Sequence, residues 1–158
     1  MRSIIRSGGR DTLNSLESTR GIIMQKGGNK MNRPDWDKYF LEIARVVASR
    51  STCPRASVGA VIVRDHRIIS TGYNGAPAGE PHCTEVECLL EEEGMPSIHC
   101  QRAVHAETNA VAQAAKFGQA TEGATLYFWD SLGRKADSCV KCTQVMKAAG
   151  IAVIIGRD

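Results

Sequence analysis

The sequence predicts an α/β domain in which helices pack on a sheet. Helical and strand-like segments alternate in the order α-β-β-α-β-α-β. The strand-like segments are short, β-branched apolar runs, and the first helical segment carries a single apolar stripe at helical spacing. At 158 residues the chain is one domain's worth and can bury a real core. With 42% apolar and 23% charged residues it has the composition of a globular protein, and its net charge of +3 is too small for bulk nucleic-acid or membrane binding. The longest apolar runs, such as Val58 to Val63 and Ile151 to Ile155, are strand-length, so no membrane span is expected.

Met1 to about Lys30 is rich in Gly, Ser, Arg and Asn, lacks a hydrophobic period and ends in Gly27-Gly28-Asn29-Lys30. That composition suits a disordered tail without a chemical role, and Asp11 and Glu17 argue against a transit peptide. The organised domain is expected over 31–158.

Pro34 and Asp35 mark a helix start, and Trp36, Phe40, Ile43, Ala44 and Val47 then recur at core-packing spacing. Val58 to Val63 reads as a strand, Arg64-Asp65-His66-Arg67 as a turn and Ile68 to Tyr73 as a second strand, which together make a hairpin. His66 falls in that turn and is expected to be solvated. A turn-rich stretch, Asn74 to Gly79, leads into a Cys/His-rich loop ending near Arg102. The remaining elements are a helix from about Val104 to Phe117, a strand from Ala124 to Trp129, a helix from about Val140 to Ala149 and a strand from Ile151 to Ile155.

Six cysteines is a high count for this length. Ile4-Ile5 cannot serve as the apolar core of a signal peptide, so a cytoplasmic location is expected and the cysteines, clustered beside histidines, point to metal rather than disulfides. The decisive segments are His105-Ala106-Glu107 and Cys139-Val140-Lys141-Cys142. One imidazole and two thiolates supply three ligands of tetrahedral preference and leave a fourth position for water, the composition of a catalytic zinc site. Cys139 and Cys142 lie three apart, so both sulfurs can face one point on a helix's first turn. His105 and Glu107 lie two apart, roughly 200° around a regular helix, and can converge only at a helix end. Both segments fall at expected helix starts, where the positive end of the helix favours thiolate. Two thiolates neutralise the metal, so a neighbouring base is needed to activate its water, and Glu107 is placed for that role. A His-x-Glu with a Cys-x-x-Cys is the signature of zinc deaminases. Each half alone is a weak signal; together, at two helix starts separated by a strand, they are specific.

From about Arg33 to Gly156 the chain resembles the cytidine/deoxycytidylate deaminase family, and within it the dCMP deaminase branch. Beyond the zinc motif, the resemblance rests on Ser57-Val58-Gly59-Ala60-Val61-Ile62-Val63, on Gly72-Tyr73-Asn74-Gly75-Ala76-Pro77-Ala78-Gly79 and on Cys100-Gln101-Arg102 running into His105 to Ala110. It implies a three-layer α/β/α fold with a central mixed sheet, zinc held by His105, Cys139 and Cys142, Glu107 as proton shuttle, and hydrolysis of dCMP to dUMP and ammonia. Asn74 would sit against the sugar, with Tyr73, Gly75 and Arg55 also on the substrate side. A homo-oligomer is implied, as are dCTP and dTTP as regulators acting through the Gly72 to Gly75 loop. Nucleic acid and membrane are not expected partners. Related phage and bacterial enzymes carry an extra structural zinc, for which Cys53, Cys83, Cys88 and Cys100 are the candidates here, with His82 or His99 able to replace one thiolate. For the substrate phosphate, Arg55, Arg102, Arg134 and Lys135 all remain open.

The sequence departs from the family in three places. Ser138 stands where a proline usually precedes the first zinc cysteine. The segment from Trp129 to Ser138 is polar and several residues longer than usual, which keeps open another base, a nucleoside, or adenosine in tRNA as substrate. The chain also ends just past its fourth strand, where many relatives continue with a helix and a fifth strand. A structural zinc protein without chemistry is the rival from another class, and Glu107→Gln separates it from an enzyme.

Overall fold

The computed structural model of the chain describes residues 33–86, 88–89, 100–135 and 139–156. Three helices and four strands alternate as expected: α1 (Trp36–Ala48), β1 (Val58–Arg64), β2 (Arg67–Tyr73), α2 (Ala106–Lys116), β3 (Thr125–Asp130), α3 (Val140–Ala148) and β4 (Val153–Gly156). The tail expected over 1–30, and the domain boundary it sets, lie outside the described residues.

The strands form one sheet in the order β2-β1-β3-β4. β1 is antiparallel to both β2 and β3, whereas β3 and β4 run parallel, so the sheet is mixed. The β1–β2 link is a two-residue turn in which Asp65 and His66 have φ of 52° and 58°. Positive φ at both central residues gives the turn whose twist matches the flanking strands, and Asp and His tolerate it better than most side chains. His66 is exposed as expected, but its ring lies against Trp36 with centroids 4.3 Å apart. The parallel β3–β4 pair needs a crossover, which α3 supplies.

β1 is apolar throughout because both faces of the sheet are covered there. Val58, Ala60 and Ile62 face one core with Ala106 and Ala110 of α2 and Met146 of α3. Val61 and Val63 face the other, with Phe40 and Ala44 of α1 and Tyr127 of β3. Helices therefore cover both faces, and three layers result. Phe40, Ile62, Leu126 and Met146 are fully buried, each stabilising by about 1.5–3 kcal/mol relative to exposure.

Two glycines set how closely helices approach this sheet. A Cβ on Gly59 would collide with Ala44 and Ala48 of α1, and one on Gly72 with Ala106 and Ala110 of α2. No larger residue fits between strand and helix backbone at either place.

Helix ends differ from expectation at one place that matters. α2 starts at Ala106 rather than Val104, because Val104 gives both its N–H and its C=O to an isolated bridge with Gly75, at 2.9 and 3.2 Å. A residue held extended by both backbone groups cannot begin a helix, so His105 becomes the N-cap. β4 likewise starts at Val153, not Ile151, whose N–H still closes the end of α3 on the Met146 carbonyl.

Candidate active site

His105 and Cys139 are the N-cap residues of α2 and α3, both with extended backbone. At Cys139 the Sγ accepts from the Cys142 N–H at 3.4 Å, which folds the Cys-x-x-Cys into the first turn of α3. Packing of α2 and α3 on the same face of the sheet then brings the two helix starts together. His105 Nδ1 lies 3.1 Å from Cys142 Sγ, and the Thr108 hydroxyl lies 3.6 Å from the same sulfur. The ligand atoms of His105, Cys139 and Cys142 all fall within 4.8 Å of one another, a grouping of three or more such side chains found nowhere else among the described residues.

The donor set fits zinc on chemical grounds. Burial, and then the charge of Glu107, push the Cys142 thiol well above its ordinary pKa. Two sulfurs and a carboxylate crowded there are costly as anions until a divalent cation joins them, when the thiols deprotonate readily. Three N/S donors in this cluster suit a tetrahedral ion with one open position.

Glu107 occupies the first turn of α2, only 4% exposed. Burial pushes its carboxyl up to about 7; its own backbone N–H opposes that shift, Asp130 adds to it and Arg134 reduces it. Glu107, His105 and Cys139 share a cavity whose apolar wall includes Ala56, Val58 and Phe128.

Of the residues expected on the substrate side, Asn74 and Arg55 line this cavity. The Asn74 amide is already engaged: its Oδ1 accepts from the Val58 N–H at 2.8 Å and its Nδ2 donates to the Ala56 carbonyl at 2.9 Å. It therefore pins the strand entering β1 and keeps one N–H and one lone pair to offer. Tyr73 and Gly75 act through backbone instead. The Tyr73 carbonyl accepts from Asn109 Nδ2 at 2.9 Å, and Gly75 pairs with Val104; neither side chain position lines the cavity. Asp130 lies one residue past the apolar run that ends at Trp129, and so falls outside the strand that the sequence predicts. It ends β3, is 3% exposed, lines the cavity and holds Arg134, itself one of the four candidate cations. The available signal was an acid and a base four apart in the polar stretch after an apolar strand.

The remaining cysteines influence one another without forming so tight a group. The Cys100 thiol is hydrogen-bonded with those of Cys83 and Cys88, and Cys53 is near enough to act electrostatically on both. Burial first, then Cys100, pushes Cys83 up; burial and the Cys100 hydrogen bond do the same to Cys88. Burial acts in that sense on Cys100 too, but backbone N–H groups of Arg102 and Ala103, with Cys88, outweigh it and draw Cys100 down. His82 Nδ1 is buried without a hydrogen-bond partner among the described residues. His99 lies outside them.

Residues 34–156 match the family described as the cytidine and deoxycytidylate deaminase zinc-binding region. The chain is 43% identical over 124 residues to ComE operon protein 2 of Bacillus subtilis (strain 168), covering 78% of this chain and 60% of that protein. It is 39% identical over 132 residues to the deoxycytidylate deaminase of Mycobacterium phage D29, covering 79% of this chain and 96% of that one. Among solved structures, the dCMP deaminase of cyanophage S-TIM5 in complex with dCMP and dUMP superposes with a TM-score of 0.62 at 25% identity, covering 79% of this chain and 82% of that one. No helix among the described residues is long and apolar enough to cross a membrane.

Proposed function

Because the chain belongs to the cytidine and deoxycytidylate deaminase family, we propose that it hydrolyses dCMP to dUMP and ammonia. The observation that carries this reading is the meeting of His105, Cys139 and Cys142, two of which line one cavity together with the buried Glu107. The phage D29 relative, matched over nearly its whole length, and the cyanophage enzyme with bound dCMP and dUMP support the choice of substrate.

His105, Cys139 and Cys142 would hold zinc, which when bound supplies a Lewis acid that lowers the pKa of a water molecule. Glu107 removes a proton from the attacking water and delivers it to ring N3, which makes C4 electrophilic. A C4–O bond forms, Glu107 takes the proton remaining on that oxygen and passes it to the amino nitrogen, and the C4–N4 bond breaks as the C4 carbonyl forms. Water is consumed, and uracil and ammonia are left. Burial among apolar side chains suits Glu107 to this work, since a carboxylate that is poorly solvated takes and returns protons readily. The apolar wall around Phe128 gives the flat base a surface to rest on.

Cys53, Cys83, Cys88 and Cys100 belong to the same reading as ligands of a second, structural zinc. The contacts of Cys100 with Cys83 and Cys88 and the electrostatic reach of Cys53 support it, and the unpartnered His82 Nδ1 makes that side chain the alternate ligand among the described residues. A homo-oligomer, regulation by dCTP and dTTP, and a cytoplasmic location complete the reading. Exposed Leu132 and Val140, close in sequence to Arg134 and to Cys139, support an assembled interface near the site.

The test is turnover: purified protein loaded with zinc is mixed with dCMP and the loss of cytosine absorbance is followed. Conversion to dUMP with release of ammonia is expected. A fully loaded protein inert toward dCMP but active on another base or nucleoside would overturn the substrate assignment.

A further inference from the structure

We infer that Thr108 is a positioning residue of the metal pocket, its hydroxyl donating to the Cys142 sulfur and drawing charge from that ligand. This inference deepens the reading of His105, Cys139 and Cys142 as zinc ligands and rests on it, but not on the identity of the substrate.

Thr108 follows the N-cap His105 by three positions, so the two side chains are neighbours at the start of α2. Both meet the same sulfur of α3: His105 Nδ1 lies 3.1 Å and Thr108 Oγ1 3.6 Å from Cys142 Sγ. The two thiols of α3 are not equivalent. Cys139 Sγ accepts from the Cys142 N–H at 3.4 Å, and Cys139 lines the cavity. Cys142 is 2% exposed and does not line it, and no backbone N–H reaches its sulfur among the described residues. An anion buried away from water is costly without a donor. When an ion fills the pocket the His105 lone pair is committed to it and the thiol has given up its proton. The Thr108 hydroxyl, with one hydrogen to give, is then the donor that remains.

Such a bond has two effects. It lowers the cost of keeping Cys142 ionised and fixes the direction of the ligand, which strengthens metal binding. It also withdraws electron density from the sulfur, so an ion held by two thiolates keeps more of its pull on a bound water. Glu107 answers the same difficulty from the side of the water, and Thr108 from the side of the ligand. The placement of α2 does not depend on Thr108. Asn109 Nδ2 donates to the Tyr73 carbonyl at 2.9 Å, and Ser70 Oγ to the Ala110 carbonyl at 2.8 Å, so β2 holds this helix independently.

The experiment uses the full chain with Co(II) as the probe, because its thiolate charge-transfer absorption reports on the sulfur directly. Wild type, Thr108→Val and Thr108→Ser are compared, each after subtraction of Cys142→Ser, so that absorption from the other cysteines cancels. Val keeps the branched shape and removes the hydroxyl, whereas Ser keeps the hydroxyl and removes a methyl. In Thr108→Val the band is expected at longer wavelength, since a thiolate without its donor gives up charge more easily. Co(II) affinity, titrated on that band, should weaken about 10- to 100-fold, and kcat for dCMP should fall about tenfold. Thr108→Ser should keep the wild-type band and an affinity within about threefold, well under the worth of one hydrogen bond to a charged group. An unmoved band in Thr108→Val overturns the inference. So does the opposite order, with Ser impaired and Val intact, which would make Thr108 a packing contact. Should Thr108→Val fold poorly, Thr108→Ala takes its place: a band moved in Ala but not in Ser upholds the bond, and equal bands overturn it. A wild type without the band overturns both the bond and the metal reading. A wild type that shows the band but is inert toward dCMP removes the substrate assignment alone, and the band of Thr108→Val still decides.

Discussion

His105 Nδ1 and Cys142 Sγ sit 3.1 Å apart although 37 positions separate them in the chain. Each lies at the start of a different helix, and both helices pack on the same face of β1 and β3. Sulfur and nitrogen held this close form half of a tetrahedral pocket before any ion arrives. Cys142→Ser should therefore lose zinc from this site and abolish deamination together. Metal analysis with parallel dCMP assays checks it; an active variant lacking that zinc would show that the ion is not part of the chemistry.

Glu107→Gln separates catalysis from metal binding. The side chain keeps its volume but can no longer accept and return protons, so kcat is expected to fall about 10²- to 10⁴-fold, with zinc content and thermal unfolding close to wild type. Zinc lost along with activity would instead make Glu107 a ligand or a structural support.

The glycines facing α1 and α2 offer a paired test of how the sheet positions the site. Gly72→Ala forces α2, and Glu107 with it, away from β2, whereas Gly59→Ala displaces α1, which carries no site residue. Both should destabilise by about 1–3 kcal/mol or more, the usual range for overpacking. Only Gly72→Ala should also lower kcat sharply at a temperature where both variants are folded. Equal kcat values for the two would mean that the close approach of α2 does not set the geometry of Glu107.

Asn74 is first of all a strut. Asn74→Ala leaves the Val58 N–H and the Ala56 carbonyl without their partners in a buried strand entry, at a cost on the order of 3 kcal/mol. Chemical denaturation would register it as a lower midpoint. A variant as stable as wild type but weakened in KM would make the substrate contact the larger of its two roles.

The second cysteine cluster predicts stoichiometry. Wild type should carry about two zinc ions per chain, one for each set of ligands. Cys100→Ser should bring that to about one, with lowered thermal stability, while the zinc at His105, Cys139 and Cys142 and some dCMP turnover remain. Wild-type protein with one zinc and full stability would remove the second site.

Much of this protein was legible one segment at a time. The apolar stripe of α1, the unbroken Val58 to Val63 run and the N-cap position of Asp35 each sit within a window of about a dozen residues, and each element formed where its pattern stood. The His-x-Glu and Cys-x-x-Cys pairs were readable for the same reason, since helix starts are local events and fix side-chain direction over one turn. What a short window does not hold is which elements become neighbours. Val104 has helix-compatible surroundings in sequence, and only its pairing with Gly75, 29 positions away, kept it extended and made His105 a cap.

By itself, then, the amino-acid order determined the succession of helices and strands and the donor atoms available for a metal. The packed structure decided that β1 lies between β2 and β3, that Tyr73 and Gly75 serve through their backbone while Asn74 braces a strand, and that Asp130 and Arg134 share the cavity with Glu107. Period and capping depend on bonds that reach three or four residues. The wall of a cavity depends on how closely distant segments can approach, and that is set by the volumes between them, as at Gly59 and Gly72.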